Sequence, residues 1–371
     1  MLDPSIASAA SDPIAALAGR ARAAGRPLGV AFTPSFPLEV LDAFGLEGAL
    51  IPPVQREAYP AADALLQGFT CTHSRSMADV VLGSGLPVGL VAVTSGCDAQ
   101  VALEGVLVAG GLAAPAVELR LPISVGNPPA TRHSVAAIHD FCSRAAAALG
   151  RPFDPAALAA ACTARQAVRE RLSELFAGLA NGGSARFAYA AAIASDVMSP
   201  GAFLAALDAS TPDPVPATGV RVLLSGSAIP SLRAVEDLEA AGAVVAVDDT
   251  ETGTRGASRH LDASSPDLLD AIGKSLVDGT VHGPVRVQQG HGRIDGVVAA
   301  ATGARVQAAV LLLYKFCDPH AFEAPAMLAG LRAAGIPGVV IEVDRDAGLA
   351  ARDLTRVQTL LESTRETARI G

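Results

Sequence analysis

Two cysteines stand directly after apolar runs in the sequence. Cys317 ends the run "AAVLLLYKFC" (residues 308–317), and Cys97 ends the run "GLVAVTSGC" (residues 89–97). Both runs are typical of buried β-strands. Because ligands bind beyond the carboxyl ends of strands in open α/β sheets, both thiols are predicted to lie at ligand-binding edges. Cys71, in "FTCTHSRS", is predicted to lie in a loop or at a helix start before another strand.

Three such thiols could converge in a cleft between two sheets. Thiolates are soft ligands that suit iron–sulfur clusters or zinc. Spacing alone is a weak signal, since the gaps are 26 and 220 residues and no Cys-x-x-Cys pair is present. The alternative is that all five cysteines are small buried hydrophobic residues. Cys142 and Cys162 fit that alternative best, because both lie in Ala-rich helical stretches.

Short apolar segments alternate with helical patterns in the first and last thirds of the chain. The segments predicted to be strands are residues 27–34, 48–53, 87–95, 220–226, 243–249, 306–314 and 337–344. Strands that alternate with helices indicate parallel βαβ units. Asp12 and Pro13 are typical of a helix start, as N-cap and first helical residue. The predicted fold class is therefore α/β, with two Rossmann-like or flavodoxin-like parallel-sheet domains.

The middle of the chain has a different character. From Thr131 to about Asp208 the sequence is rich in Ala, Arg, Leu and Glu and has helical periodicity without a convincing strand. The Pro-rich stretch at residues 210–219 is typical of a linker. We therefore predict an N-terminal α/β domain (residues 1–130), a helical insert (131–215) and a C-terminal α/β domain (216–371).

Composition excludes several classes of protein. The net charge of −9 argues against a nucleic-acid surface, which needs clustered Lys and Arg. The N-terminus lacks the basic start and apolar core of a secretory signal, and the apolar region at 85–117 contains Asp98 and Glu104, which disfavour a membrane span. Five cysteines in 371 residues do not make a disulfide framework. The sequence predicts a soluble, cytoplasmic protein.

A series of motifs resembles a known family. The motifs are "GRPLGVAFTPSFPLEVLDAFGLEGALIPP" (residues 25–53), "CTHSRS" (71–76), "TSGCDA" (94–99), "GAVVAVDD" (242–249) and "KFCDPHAFEAPAM" (315–327). Their order resembles the 2-hydroxyacyl-CoA dehydratase family, which also contains the benzoyl-CoA reductase subunits. The resemblance runs from about residue 26 to residue 366 and is to subunits of the 2-hydroxyglutaryl-CoA dehydratase D-component type.

The resemblance implies a cofactor and partners. In the family, three cysteines of each such subunit hold one [4Fe–4S] cluster between two α/β domains, and Cys71, Cys97 and Cys317 match those positions. The fourth iron stays open for water, a sulfur species or substrate. The implied partners are an acyl-CoA thioester, a second homologous subunit and an ATP-dependent iron–sulfur activator protein that supplies a low-potential electron. A nucleic acid or a membrane is not among them.

The resemblance also implies a reaction. One added electron turns the thioester of a 2-hydroxyacyl-CoA into a ketyl radical anion, which expels the hydroxyl group and acidifies the β-proton. Three alternatives remain open. The chain could be a benzoyl-CoA reductase subunit that reduces an aromatic ring, or a cluster-free structural partner subunit. A zinc site made of three cysteines and a water molecule is the third.

Two further residues match catalytic positions of the family. Ser35 lies in the loop after the first predicted strand, and Glu57 follows the second. The resemblance implies that they serve the hydroxyl group and the proton transfers of the substrate, although Glu57 matches only approximately. The simpler interpretations are a helix N-cap for Ser35 and a solvated loop carboxylate for Glu57. His73 and Arg75 could contact a cluster sulfur or a phosphate, or could simply lie on the surface of a helix start.

Overall fold

The N-terminal part of the chain alternates strands and helices, as predicted. The computed structural model describes residues 1–212, 218–288, 292–345 and 348–370. The first elements are α1 (Pro4–Ser11), α2 (Pro13–Ala24), β1 (Leu28–Ala31), α3 (Leu38–Ala43), β2 (Glu47–Leu50), α4 (Pro60–Asp63), α5 (Thr72–Gly83), β3 (Val88–Thr94), α6 (Asp98–Val101), α7 (Leu103–Ala109), β4 (Ala116–Leu119) and β5 (Ser124–Val125). The Asp12 carboxylate accepts a hydrogen bond from the backbone N–H of Ala15, so α2 starts at its predicted cap.

Long helices follow and pack against the first elements. They are α8 (Pro128–Leu149), α9 (Pro155–Gly178), a 3₁₀ turn (Leu179–Asn181), α10 (Ala185–Val197) and α11 (Pro200–Asp208). Helix α9 packs on α3, and α10 packs on α1 and α2. These helices therefore cover the first sheet instead of forming a layer of their own. The proposed domain boundaries stay predictions, and the second one lies at 215/216, outside the described residues.

The C-terminal part returns to the alternating pattern. Its elements are β6 (Val220–Gly226), α12 (Leu232–Ala240), β7 (Ala243–Thr250), α13 (Thr254–Ala257), α14 (Leu268–Ser275), β8 (Val287–Gln288), α15 (Gly292–Gly303), β9 (Ala308–Tyr314), α16 (Asp318–Ala333), β10 (Gly338–Val343) and α17 (Ala351–Ile370). Every residue of β9 is buried, in keeping with an apolar strand covered on both faces.

Two four-stranded sheets form the framework of the protein. Their strand orders are β2-β1-β3-β4 and β10-β9-β6-β7, and every neighbouring pair is parallel. The prediction of an α/β fold with two parallel sheets is confirmed. Both orders are of the flavodoxin-like type, in which the order reverses between the first and third strands of the sheet. The reversal points lie between β1 and β3 and between β6 and β9, and each is a preferred ligand position.

The sequence does not predict β4, and the structure explains why. Its four residues include Glu118, which interrupts the apolar run and pairs with Arg120. A short parallel pair between β5 and β8 also joins the two halves of the chain, with Ser124 opposite Val287. In the described ranges, no helix is both long enough and apolar enough to cross a bilayer.

Candidate metal centre and substrate site

The structure brings Cys71, Cys97 and Cys317 to one place. Each immediately precedes a helix, namely α5, α6 and α16 respectively. Cys97 follows β3 and Cys317 follows β9, so these two thiols lie at the reversal points of the two sheets. All three line a cavity of about 90 Å³, which we call the cysteine chamber, and also the adjoining, wider outer cleft of about 590 Å³.

The backbone around Cys317 fixes the approach of this thiol to Cys71. Phe316 has a φ of 64°, a left-handed conformation that is uncommon for a residue with a side chain. This residue turns the chain sharply between β9 and α16. The N–H of Thr72, next to Cys71, donates to the carbonyl oxygen of Lys315 at 3.2 Å. A direct hydrogen bond therefore holds the start of α5 against the loop that carries Cys317.

The environment distinguishes the three thiols. A hydrogen bond from Cys317 lowers the pKa of Cys71. The backbone N–H groups of Ser74 and His73 lower this pKa further, whereas burial raises it. The same contact, together with burial, raises the pKa of Cys317 far above its usual range. Burial raises the pKa of Cys97. Cys71 is thus the thiol most readily ionised, and the positive end of α5 favours its thiolate.

The donor set of the cysteine chamber suits a thiolate-bound metal group. Three thiols from separate loops line the chamber, and thiolates are the usual ligands of iron–sulfur clusters. Tetrahedral zinc, with Zn–S bonds of about 2.3 Å, brings its sulfur ligands to about 3.8 Å from one another. Cys71 and Cys317 are hydrogen-bonded, whereas at least one pair of the three Sγ atoms is more than 4.8 Å apart. The residues present therefore fit an iron–sulfur cluster.

The described residues contain one tighter group of ligand atoms. Side chains of His139, Asp267 and Asp270 lie within 4.8 Å of one another, but none of them is buried. Exposed acidic groups commonly lie together without a metal, and this group carries no assignment.

Arg286 adds a positive charge to the wall of the cysteine chamber. Its guanidinium donates to the backbone oxygens of Ser95 (2.6 Å), Pro122 (3.1 Å) and Leu121 (3.3 Å). Burial lowers its pKa to about 10, so it stays charged at neutral pH. Within the described ranges it has no carboxylate partner. A cation held only by carbonyl oxygens favours an anionic occupant, such as a set of thiolates.

His320 presents a proton donor to the Cys317 sulfur. Arg255 donates from Nη2 to Nε2 of His320 at 3.1 Å, and an arginine can only donate. Nε2 is therefore the acceptor nitrogen, and Nδ1 carries the proton. Nδ1 lies 3.3 Å from Sγ of Cys317 and 3.3 Å from Oγ of Ser227. This N–H group can donate a hydrogen bond to the sulfur, the kind of contact that tunes metal-bound thiolates.

The structure treats Ser35 and Glu57 differently. Ser35 lines the cysteine chamber, and its hydroxyl lies 2.6 Å from that of Thr33. Its interpretation as a helix N-cap is wrong, because α3 begins after Pro37 without a side-chain capping bond. Glu57 is exposed and does not line the chamber, and its carbonyl oxygen accepts from Arg345. The structure therefore brings only Ser35 to the cysteines.

A different carboxylate, Glu251, lines the cysteine chamber. It directly follows β7, so the strand-end rule that singled out Cys97 and Cys317 could also have found it. His73 lines the same chamber, is buried and stacks on Tyr314, with ring centroids 4.8 Å apart. The interpretation of His73 as a surface residue is therefore wrong.

Arg75 is also buried, so its interpretation as a surface residue is wrong as well. Its guanidinium contacts the Asp63 carboxylate and donates to the carbonyl oxygen of Gly68. It does not line the chamber. Arg75 therefore has a structural role at the start of α5.

A second cavity, which we call the rear chamber, lies next to the cysteine chamber. It has a volume of about 100 Å³ and is bounded by the loop after β1, the ends of β2 and β7, and helices α9 and α10. The two chambers share His73, Glu251 and Arg259 as walls. Asp196, near the end of α10, faces the rear chamber, and burial raises its pKa to about 7 against the opposing effect of Arg165.

The Asp196→Asn variant should be more stable than the wild type at alkaline pH. An acid whose pKa is raised in the folded protein destabilises it as the pH climbs from the unfolded pKa near 4 to the folded pKa near 7. The cost is complete above that pH and is on the order of 2–4 kcal/mol. Thermal midpoints measured from pH 4 to pH 9 should coincide at pH 4 and diverge in favour of the variant above pH 7. Curves of midpoint against pH that stay parallel for the two proteins would contradict the raised pKa of Asp196.

A comparison with protein families gives the class of this protein. Residues 34–364 match the family described as 2-hydroxyglutaryl-CoA dehydratase, D-component. The chain belongs to this family and is a dehydratase component. The matched range contains Ser35 and the three cysteines of the chamber. Comparison with curated proteins gave no match.

Proposed function

We propose that the chain is the iron–sulfur subunit of a 2-hydroxyacyl-CoA dehydratase and that Cys71, Cys97 and Cys317 hold a [4Fe–4S] cluster. The observation that carries the proposal is the convergence of these three thiols on one chamber in a member of a dehydratase family. The cation of Arg286 and the Nδ1–H group of His320 support it, because both favour thiolate over thiol.

The chain's own groups have defined tasks in the elimination of water. When bound, the cluster supplies single electrons at low potential and one iron without a protein ligand. Ser35 donates a hydrogen bond to the departing hydroxyl group of the substrate. Glu251 accepts the β-proton, a task that the family resemblance implied for Glu57. The loop at residues 280–286 covers the chamber and excludes water.

The outer cleft fits the proposed partners. Its volume of about 590 Å³ lies in the range of ligand sites, so the CoA portion of the thioester enters there. Apolar side chains surround its mouth, with Phe322 82% exposed and Ile123 63% exposed. A second homologous subunit that covers this mouth would bury them. The electron comes from an ATP-dependent iron–sulfur activator protein, and the enzyme works in the cytoplasm.

Metal analysis after strictly anaerobic purification tests the proposal. We expect about four iron atoms and as much inorganic sulfide per chain, with the broad visible absorption of a [4Fe–4S] centre. A preparation without iron whose thiols all react would instead identify a structural partner subunit. One zinc atom per chain would identify the mononuclear alternative. Either result would overturn the proposal.

A further inference from the structure

The rear chamber is positioned to receive one end of a ligand whose reacting atoms lie in the cysteine chamber. The two spaces adjoin through shared walls at His73, Glu251 and Arg259. The rear chamber lies at the carboxyl ends of strands from both sheets, where α/β proteins bind ligands. A thioester that reacts beside the cysteines would therefore extend its acyl end into this space and its CoA end into the outer cleft.

The size and lining of the rear chamber suit a short hydrocarbon chain. Its apolar walls come from the loop after β1 and from α9, and include Phe32, Phe36, Val168 and Leu172. An apolar cavity of about 150 Å³ holds benzene, so by volume about 100 Å³ accommodates roughly four carbon atoms.

The positive charges around the rear chamber are already paired. Arg169 and Arg259 both bind the buried carboxylate of Glu39, at 2.6 and 2.7 Å. Arg165 binds Asp42 at 2.6 Å. A negatively charged ligand group would therefore have to compete with carboxylates that already hold these guanidinium groups.

Two negative charges face the rear chamber without such partners. Among the described residues, the carboxylates of Asp196 and Glu251 form no ion pair and no hydrogen bond. The Asp196 carboxylate interacts electrostatically with Arg165 but forms no ion pair with it. A second carboxylate brought into this space would meet like charge, which is costly.

We propose that the rear chamber is the acyl subsite and that it selects 2-hydroxyacyl-CoA thioesters with a short, uncharged chain over those that end in a carboxylate. The inference rests on the proposed function and adds the substrate class to it. The family is described by a dicarboxylic substrate, so the inference assigns to this chain a preference other than the one in that description.

Binding of two matched thioesters tests the inference. 2-Hydroxypentanoyl-CoA and 2-hydroxyglutaryl-CoA have the same chain length and differ in a terminal methyl against a carboxylate. Calorimetric titration at pH 8 of the anaerobically isolated protein should give at least tenfold tighter binding of the pentanoyl thioester. In Asp196→Asn that ratio should fall at least threefold, whereas Asp140→Asn, an exposed change on α8, should leave it unaltered.

The possible failures are distinguishable. Equal affinity, or tighter binding of 2-hydroxyglutaryl-CoA, would overturn the substrate class and leave the dehydratase proposal intact. An unchanged ratio in Asp196→Asn would overturn the role of this carboxylate. Absence of binding by both thioesters, in protein that also lacks iron, would overturn the proposed function together with the inference.

Discussion

Replacing any one of Cys71, Cys97 and Cys317 by alanine should abolish iron binding. The three thiols come from separate loops and share one chamber, so each variant leaves only two sulfur donors. Two thiolates hold a four-iron cluster too weakly to survive purification, because the cluster normally relies on cysteine ligands at its irons. Iron and sulfide analysis of the anaerobic variants should give values near zero, with loss of the visible absorption.

The remaining cysteines provide matched controls. Cys142 and Cys162 are buried on α8 and α9, and burial raises the pKa of both thiols to about 12. Neither lines the cysteine chamber. Cys142→Ala and Cys162→Ala should retain full iron content, with a small loss of stability from the cavity. Retention of the cluster by Cys317→Ala, or its loss in both controls, would show that other residues hold the metal.

The Glu39→Gln variant should lower the free energy of unfolding by about 3–5 kcal/mol, because it leaves two buried guanidinium groups without their counter-charge. Glu39 is fully buried and contacts Arg169 from α9 and Arg259 from the segment after α13. Burial raises the pKa of Glu39, but Arg259 and Arg169 outweigh it and hold the pKa well below its usual range. The stabilisation is therefore complete at neutral pH and is lost only as the pH falls through the acidic range.

Thermal unfolding at pH 7 measures this effect. For a chain of 371 residues, a loss of this size should lower the midpoint by about 4–6 °C. Glu170→Gln is the matched control, since Glu170 is exposed on α9 and only accepts a hydrogen bond from Gln166. The control should shift the midpoint by no more than a degree or two. Equal shifts in the two variants would mean that the ion-paired cluster does not stabilise the fold.

The sequence predicts the parts of this protein that local patterns determine. The strand over 220–226 and the helix start at Pro13 are found where predicted, because an apolar run and an N-cap act over a few residues. The strand-end rule also predicted that Cys97 and Cys317 lie at ligand-binding edges, and both line the same chamber. Their convergence with Cys71 required the rule that ligands bind at the carboxyl edge of parallel sheets, together with a family resemblance that aligned three distant positions.

Features that depend on long-range packing were not predictable. Glu57 and Glu251 both follow strands, yet only Glu251 faces the cysteines, because the direction of a loop depends on what packs around it. The surface interpretation of His73 failed for the same reason, since its ring is covered by Tyr314, 241 positions further along the chain. The rear chamber exists only where α9 and α10 close over the ends of the strands.

The origin of the three sulfurs has a mechanical consequence. Two of them belong to the half of the chain that contains the first sheet, and the third belongs to the other half. Any group bound to all three sulfurs would cross-link the two halves, and its binding free energy would stabilise their association. Oxidative destruction of such a group would then weaken the association of the two halves first and leave each sheet intact.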